Sequence, residues 1–265
     1  MEYHPDYIQS LVRLNKSLLE NLRDFRYSKN VENISHQLVV PHASYSPWID
    51  DSDFTAAYEK IKLHTLVDRY RCYELWQCAK QACRLDGAFV EIGVWRGGTG
   101  ALLALSRGID APQPVVKLFD TFSGVVKSCS KDTLYVGGEH ADTSFDLVRG
   151  LLQELSLQNV ELHKGVFPED FNLDQFPAVA LCHIDVDTYQ SAKECFDAIW
   201  PKLCVGGAII FDDFGFWGCE GVTRLVMEIN QEPLLERLFI HNLNGHGIFF
   251  KISKSQNLKL ANSQF

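Results

Sequence analysis

The sequence predicts an α/β domain in which a mostly parallel sheet carries helices on both faces, preceded by a helical N-terminal extension. Three observations predict it. Short β-rich runs alternate with helical segments from Ala88 onwards. The first run ends in a glycine-rich turn that leads into a helix of small residues. The chain then finishes on two successive strands rather than on a strand and a helix. With 265 residues, 46% of them hydrophobic, the chain can bury one sizeable core and carry one accessory segment.

Residues 6–25 read as an amphipathic helix, because Leu11, Leu14, Leu18, Leu22 and Phe25 recur at steps of three and four. Residues 28–53 read as irregular, with Pro41, Pro47 and the acids Asp50, Asp51 and Asp53. Residues 54 to about 84 read as helical again, rich in Ala, Leu, Lys, Glu and Gln and free of Gly and Pro. The pattern changes at Asp86-Gly87, so the expected division is 1–84 for the helical extension and 85–265 for the α/β domain.

Within the domain, strands are predicted at Ala88–Ile92, Val115–Phe119, Val160–His163, Val179–Ile184, Ala208–Phe211, Arg237–His241 and Gly247–Ile252. Helices are predicted from Gly98 to about Ser106, Ser144 to Leu155, about Gln190 to Leu203, and Glu220 to Asn230.

Composition excludes several classes of function. A net charge of -9 with no Lys/Arg run disfavours nucleic acid as a partner. No apolar stretch approaches the roughly 20 residues of a membrane-spanning helix, and Met1-Glu2-Tyr3-His4-Pro5 does not begin a signal peptide. None of the eight cysteines forms a C-x-x-C pair, so they read as small core residues in a reducing cytoplasm.

Two features carry the chemistry. The first is Phe89-Val-Glu-Ile-Gly-Val-Trp-Arg-Gly-Gly-Thr-Gly100, a strand, glycine turn and helix in that order. Glycine there lets a ligand approach the backbone closely. The spacing is not G-x-G-x-x-G, which weakens a dinucleotide reading. The next strand leads to Asp120, placed to accept hydrogen bonds from ribose hydroxyls. It lies further from Gly93 than the roughly 20 residues of the dinucleotide fold, and Pro112 and Pro114 account for the added loop.

The second feature is a pair of acidic strand ends, His183-Ile-Asp-Val-Asp187 and Ile210-Phe-Asp-Asp213. Ligands bind at the C-terminal ends of strands in open α/β sheets, so Asp185, Asp187, Asp212 and Asp213 converge on one crevice. Four carboxylates together repel unless a cation sits among them, and oxygen-only donors suit Mg²⁺, Ca²⁺ or Mn²⁺. The bland alternatives are that Asp187 caps the following helix and that Asp212-Asp213 closes a turn.

Glu91-Ile-Gly-Val-Trp-Arg-Gly-Gly98, Asp120-Thr-Phe-Ser-Gly124, Asp185-Val-Asp-Thr-Tyr-Gln-Ser191, Gly206-Gly207 and Asp212-Asp213 resemble the macrocin O-methyltransferase family of antibiotic-tailoring enzymes, over about Thr65 to Asn230. The resemblance implies the Rossmann-like fold of class I enzymes dependent on S-adenosylmethionine (SAM), with Mg²⁺ (or Mn²⁺), methylating a hydroxyl of a small molecule or of a natural-product sugar. It implies that Asp185, Asp212 and Asp213 hold the metal and that Asp187 is the general base. Glu91, Gly93, Val94, Arg96 and Gly98 would hold the methionyl part of SAM, with Asp185 beside it. Asp120, Thr121 and Phe122 would serve the ribose, and Gly165, Val166 and Phe167 the adenine. Thr65 and Leu66, followed by Arg71, resemble the segment that closes over the cofactor.

Val186 stands where the family commonly has glycine, and Val125 to His140, which should line the acceptor pocket, has no aligned counterpart. His140, in Gly137-Gly-Glu-His140, is a second candidate base. The expected partner is a small hydroxyl-bearing acceptor, with assembly as a homo-oligomer.

Two rival readings remain at this level. One is an NAD-dependent oxidoreductase or epimerase, for which Tyr189 and Lys193 formally supply the Tyr-x-x-x-Lys pair, although they start a helix after an acidic loop. The other is a non-catalytic partner-binding protein of the same fold.

Overall fold

The structure is a computed structural model that describes residues 5–22, 29–31, 33–37, 39, 45–106, 115–232 and 236–253. The chain begins with helix α1 (Pro5–Leu22) and a small antiparallel hairpin, β1 (Lys29–Val31) with β2 (Ile34–His36). Short α2 (Pro47–Asp50), α3 (Ser52–Ile61) and α4 (Arg69–Ala82) follow. Then come β3 (Ala88–Ile92), α5 (Gly98–Leu105), β4 (Val116–Asp120), α6 (Phe145–Glu154), β5 (Val160–Lys164) and β6 (Val179–Ile184). The chain continues through α7 (Tyr189–Ile199), β7 (Leu203–Phe211), α8 (Glu220–Gln231), β8 (Arg237–His241) and β9 (Gly247–Lys251).

Seven strands form one sheet in the order β5-β4-β3-β6-β7-β9-β8. The first five of these are parallel; β9 runs antiparallel to β7, and β8 to β9. This is the expected mixed sheet with its antiparallel close. Side chains alternate across it. Phe89, Leu118, Leu181 and Ile210 pack under α3, α4, α5 and α6. Val90, Phe119, Cys182 and Phe211 pack under α7 and α8.

Three parts of the chain differ from the sequence expectation. Residues 28–53 contain the β1–β2 hairpin and α2. The long helix expected over 54–84 is two helices, because Asp68 starts a new one: its Oδ1 accepts the backbone N–H groups of Tyr70 and Arg71 at 2.8 and 3.2 Å. The loop so created carries His64, Thr65 and Leu66. The helix expected to reach Leu203 stops at Ile199; a single 3-10 turn containing Pro201 follows, and β7 begins at Leu203.

The stretch 54–82 shares a hydrophobic core with the sheet: Phe54, Ile61, Leu75 and Trp76 are buried with Phe89 and Leu102. On α1, by contrast, Leu11, Leu14 and Leu18 are exposed, so this part of the stripe does not pack on its own domain. The side chain of Leu22, and Phe25, lie outside the described residues. No described helix is long and apolar enough to cross a membrane. All eight cysteines are free thiols, as their spacing implied.

Candidate active site

The site forms where the topology reverses. From β3 the chain moves to β4 on one side and later to β6 on the other, which opens a crevice at the strand ends. Strand register sets the positions of the acids. Ile92 pairs with Ile184, and Ile184 with Phe211, so Gly93, Asp185 and Asp212 emerge side by side. The amide of Asp185 donates to Ile92 at 2.9 Å, and that of Asp212 to Ile184 at 3.0 Å. Gly93 has φ +86, and a Cβ there would lie 1.7 Å from the carbonyl oxygen of Asp185. Only glycine lets these two strand ends meet.

A cavity of about 290 Å³ occupies the crevice. Its cofactor side is lined by the turn residues Gly93 and Val94, by Thr65 and Leu66 from the loop between α3 and α4, and by Asp120 and Thr121. Gly165, Val166 and Phe167 complete that side. Asp185, Asp187, Asp212, Asp213 and His140 line the same cavity. The structure therefore brings together most of the candidate residues.

Four of them lie elsewhere. Glu91 is fully buried behind the cavity, where its carboxylate meets His183 at 2.9 Å. Arg96 faces the exposed Asp142. Gly98 sits against the carbonyl of His64, to which its amide donates at 2.9 Å. Phe122 packs into the core beside Phe145. The carboxylate of Asp120 is already busy: it accepts the amides of Val94 and Trp95 at 2.7 and 2.9 Å and that of Phe122 at 2.6 Å. A carboxylate offers about four acceptor sites, so little capacity is left for a ribose hydroxyl.

Asp187 does not cap α7. That helix is capped from a distance by Asp132, whose Oδ1 accepts the Tyr189 amide at 2.8 Å. The same loop is tied down by Lys127 to Glu169 and Glu194 and by Thr133 to Glu220. Thr188 and Ser191 on the α7 side donate to the carbonyl of Val126. These anchors bring Tyr135 and His140 to the cavity beside Asp187, with the Tyr135 hydroxyl 3.4 Å from His140 Nε2. Asp187 and His140 both adopt left-handed backbone, at φ 61 and φ 60. Such strain in non-glycine residues concentrates at functional sites.

Ligand oxygens of Asp185, Asp212 and Asp213 all lie within 4.8 Å of one another. Burial and the repulsion of its neighbours push the Asp185 carboxyl well above the usual range, and Asp213 likewise. Asp187 is raised as well, chiefly by burial. Asp212 is the exception: despite its burial, His183, His246 and Arg71 hold it well below the usual range. Burial alone would lower His183, but the Asp212 and Glu91 carboxylates outweigh it and hold the imidazole at about 10. An oxygen-only trio with two members destabilised by like charge fits a hard divalent cation such as Mg²⁺ or Mn²⁺.

His183, His246, Glu74 and Tyr135 are the parts of this arrangement that the motifs did not single out as site residues, and Arg71, expected with the segment over the cofactor, is found on Asp212. Arg71 pairs with Asp212 and lies over the ring of Phe216, 4.4 Å from its centroid. On the acceptor side, Val125, Val126, Val186, Phe216 and Trp217 give the cavity apolar walls.

The sequence profile of the macrocin-O-methyltransferase (TylF) family matches residues 20–251. Mycinamicin III 3''-O-methyltransferase of Micromonospora griseorubida is 26% identical over 201 residues, covering 66% of this chain and 78% of that protein. Demethyldecarbamoylnovobiocin O-methyltransferase of Streptomyces niveus is 26% identical over 163 residues, 57% of this chain and 62% of that protein. Among solved structures, the O-methyltransferase NovP superposes with a TM-score of 0.58 at 23% identity, over 72% of this chain and 83% of that one. The calicheamicin methyltransferase CalS11 superposes at 0.57 and 16% identity, over 80% and 99%. These two likenesses establish the fold, a class I methyltransferase sheet.

Proposed function

Because the chain belongs to the macrocin O-methyltransferase family and is a SAM-dependent O-methyltransferase, we propose that it methylates a hydroxyl on a sugar or similar moiety of a natural product, with a divalent cation held by Asp185, Asp212 and Asp213. The observation that carries this reading is the convergence in one cavity of the glycine turn with a buried carboxylate trio. Family membership removes the oxidoreductase and the non-catalytic readings. The acceptor class follows the named relatives, a mycinamicin III 3''-O-methyltransferase and a demethyldecarbamoylnovobiocin O-methyltransferase.

SAM supplies an electrophilic methyl group, and a bound Mg²⁺ supplies Lewis-acid and templating chemistry to an oxygen ligand. The residues of the chain do the rest. The backbone of Gly93 to Trp95 cradles the methionyl end, Asp120 gives its remaining acceptor capacity to the ribose, and Gly165 to Phe167 flank the adenine. Phe216, Trp217 and Val186 would form an apolar wall against the acceptor and help to orient it. Asp187 takes the hydroxyl proton. Its side chain is released from helix capping and made more basic by burial than an ordinary carboxylate.

Calorimetry with S-adenosylhomocysteine and NAD⁺ tests the cofactor site. The first should bind and raise the melting temperature by mass action, NAD⁺ should not, and Asp120→Ala should weaken binding by releasing the turn that Asp120 pins. Absence of binding at millimolar S-adenosylhomocysteine would sink the reading.

We also infer a homo-oligomer in which the exposed Leu11, Leu14 and Leu18 stripe of α1 meets a second subunit. Removal of residues 1–27 should lower the sedimentation coefficient beyond the loss of mass. An unchanged assembly state would place the stripe outside any interface.

A further inference from the structure

Asp212 is gripped from three elements at once. Its Oδ1 faces His183 Nε2 at 3.4 Å and His246 Nε2 at 3.0 Å, and its Oδ2 pairs with Arg71. His183 belongs to β6, beside Asp212 in the sheet, and is already fixed by Glu91. His246 arrives from the far end of the chain, on the turn between β8 and β9. It is fully buried, and its second ring nitrogen meets the carboxylate of Glu74 on α4.

The turn is built to deliver it. Asn242 Oδ1 accepts the backbone amides of Asn244 and His246 at 2.8 and 3.2 Å, and the Asn242 amide donates to the same Glu74 oxygen. Gly245 has φ +101, and a Cβ there would lie 2.0 Å from the ring of Phe216, so the turn is pressed against the mouth of the cavity. Helix α4 contributes twice within one turn, Arg71 to Oδ2 of Asp212 and Glu74 to the back of His246.

We propose that His246, backed by Glu74, is a positioning residue that fixes the orientation of the Asp212 carboxylate and so sets the cation affinity of the Asp185, Asp212 and Asp213 cluster. The proposal rests on the reading of that cluster as a cation site. A strand-end carboxylate can turn about its own axis; a donor on Oδ1 opposed by a guanidinium on Oδ2 stops it. Partners behind a ligating side chain typically contribute 10–100-fold in metal affinity.

The test is a Mn²⁺ titration of the intact protein, followed by electron paramagnetic resonance and calorimetry. It compares wild type, His246→Ala, His246→Gln and Glu74→Gln, with S-adenosylhomocysteine binding measured in each. Wild type should bind one Mn²⁺. His246→Ala should bind it about 10–100-fold more weakly, with S-adenosylhomocysteine affinity nearly unchanged. His246→Gln, whose amide can still donate towards Oδ1, should recover most of the loss. If His246→Ala does not fold, Glu74→Gln carries the test with the same direction.

A folded His246→Ala protein of lower melting temperature but wild-type Mn²⁺ affinity would overturn the proposal while leaving the cation site intact. A wild type that binds no Mn²⁺ would overturn the cation site itself, and the positioning role with it. Zinc or iron co-purifying at one atom per chain and lost in His246→Ala would overturn the proposal by making His246 a direct ligand.

Discussion

Excess chelator should abolish turnover, added Mg²⁺ or Mn²⁺ should restore it, and Asp185→Asn should lose more than about 100-fold in activity even at high metal, since a lost ligand costs more than a lost supporting partner. The reason lies in the electrostatics of the strand ends. Asp185 and Asp213 are both driven up by burial and by each other's neighbours, and in the described structure the cations near the trio serve Asp212 first. Arg71 and His183 leave Asp185 without an ion-pair partner of its own. The Asp185→Asn protein should keep S-adenosylhomocysteine affinity, because the glycine turn and Asp120 are untouched. It should also be no less stable than wild type in the absence of metal, because one source of repulsion is gone. Full activity in excess chelator would make the trio structural.

The second large effect is expected at Asp187. Asp187→Asn keeps the shape of the side chain and removes the proton acceptor. It should lower kcat by about 10²–10⁴-fold while Mn²⁺ and S-adenosylhomocysteine still bind. The backbone amide of Asp187 still donates to Asp213 Oδ2 at 3.3 Å. His140→Gln tests the competing base. His140 lines the cavity with its Nε2 against the Tyr135 hydroxyl at 3.4 Å, whereas Asp187 is tied directly to Asp213 of the trio, so loss of His140 should cost far less. If His140→Gln shows the larger fall in kcat and Asp187→Asn a small one, the roles of the two residues are exchanged.

Much of this site could be read from local signals. The glycine turn, Asp120 and the four aspartates each sit at the end of an apolar run, and the rule that ligands gather at such ends is enough to bring them together. What could not be read depends on contacts between distant parts of the chain. The capping role open to Asp187 is taken by Asp132, 57 positions before the Tyr189 amide it accepts. Glu91 looked like a cofactor ligand because it precedes the turn, but strand alternation turns it inward to His183. His246 and Glu74 lie 172 positions apart and meet only because the final hairpin folds back over α4. The break between α3 and α4 was hidden because Lys62 to Asp68 contains no Gly or Pro; the cap at Asp68 ends the ambiguity only once its two backbone bonds are seen.

The way the loop from Val125 to His140 is fastened bears on how substrate preference could be exchanged between such enzymes. Among its fixed points, Lys127 pairs with Glu194 on α7, Asp132 accepts the Tyr189 amide at the start of α7, and Thr133 meets Glu220 on α8. Beyond them, the Gly138 amide donates to Val125 at 2.9 Å, but a Cβ added there would meet nothing within 4 Å, and Val136 is 82% exposed. The replaceable cassette is therefore the exposed tip at Val136 and Gly137, between Tyr135, which lines the cavity, and Gly138, which is bonded to Val125. Donor sequences of other lengths could be grafted there without disturbing the sheet, provided Asp132 is kept to cap α7. Engineering that alters Asp132 together with the cassette would confuse two effects, because the helix carrying Tyr189 and Ser191 would lose its cap at the same time as the acceptor wall changed.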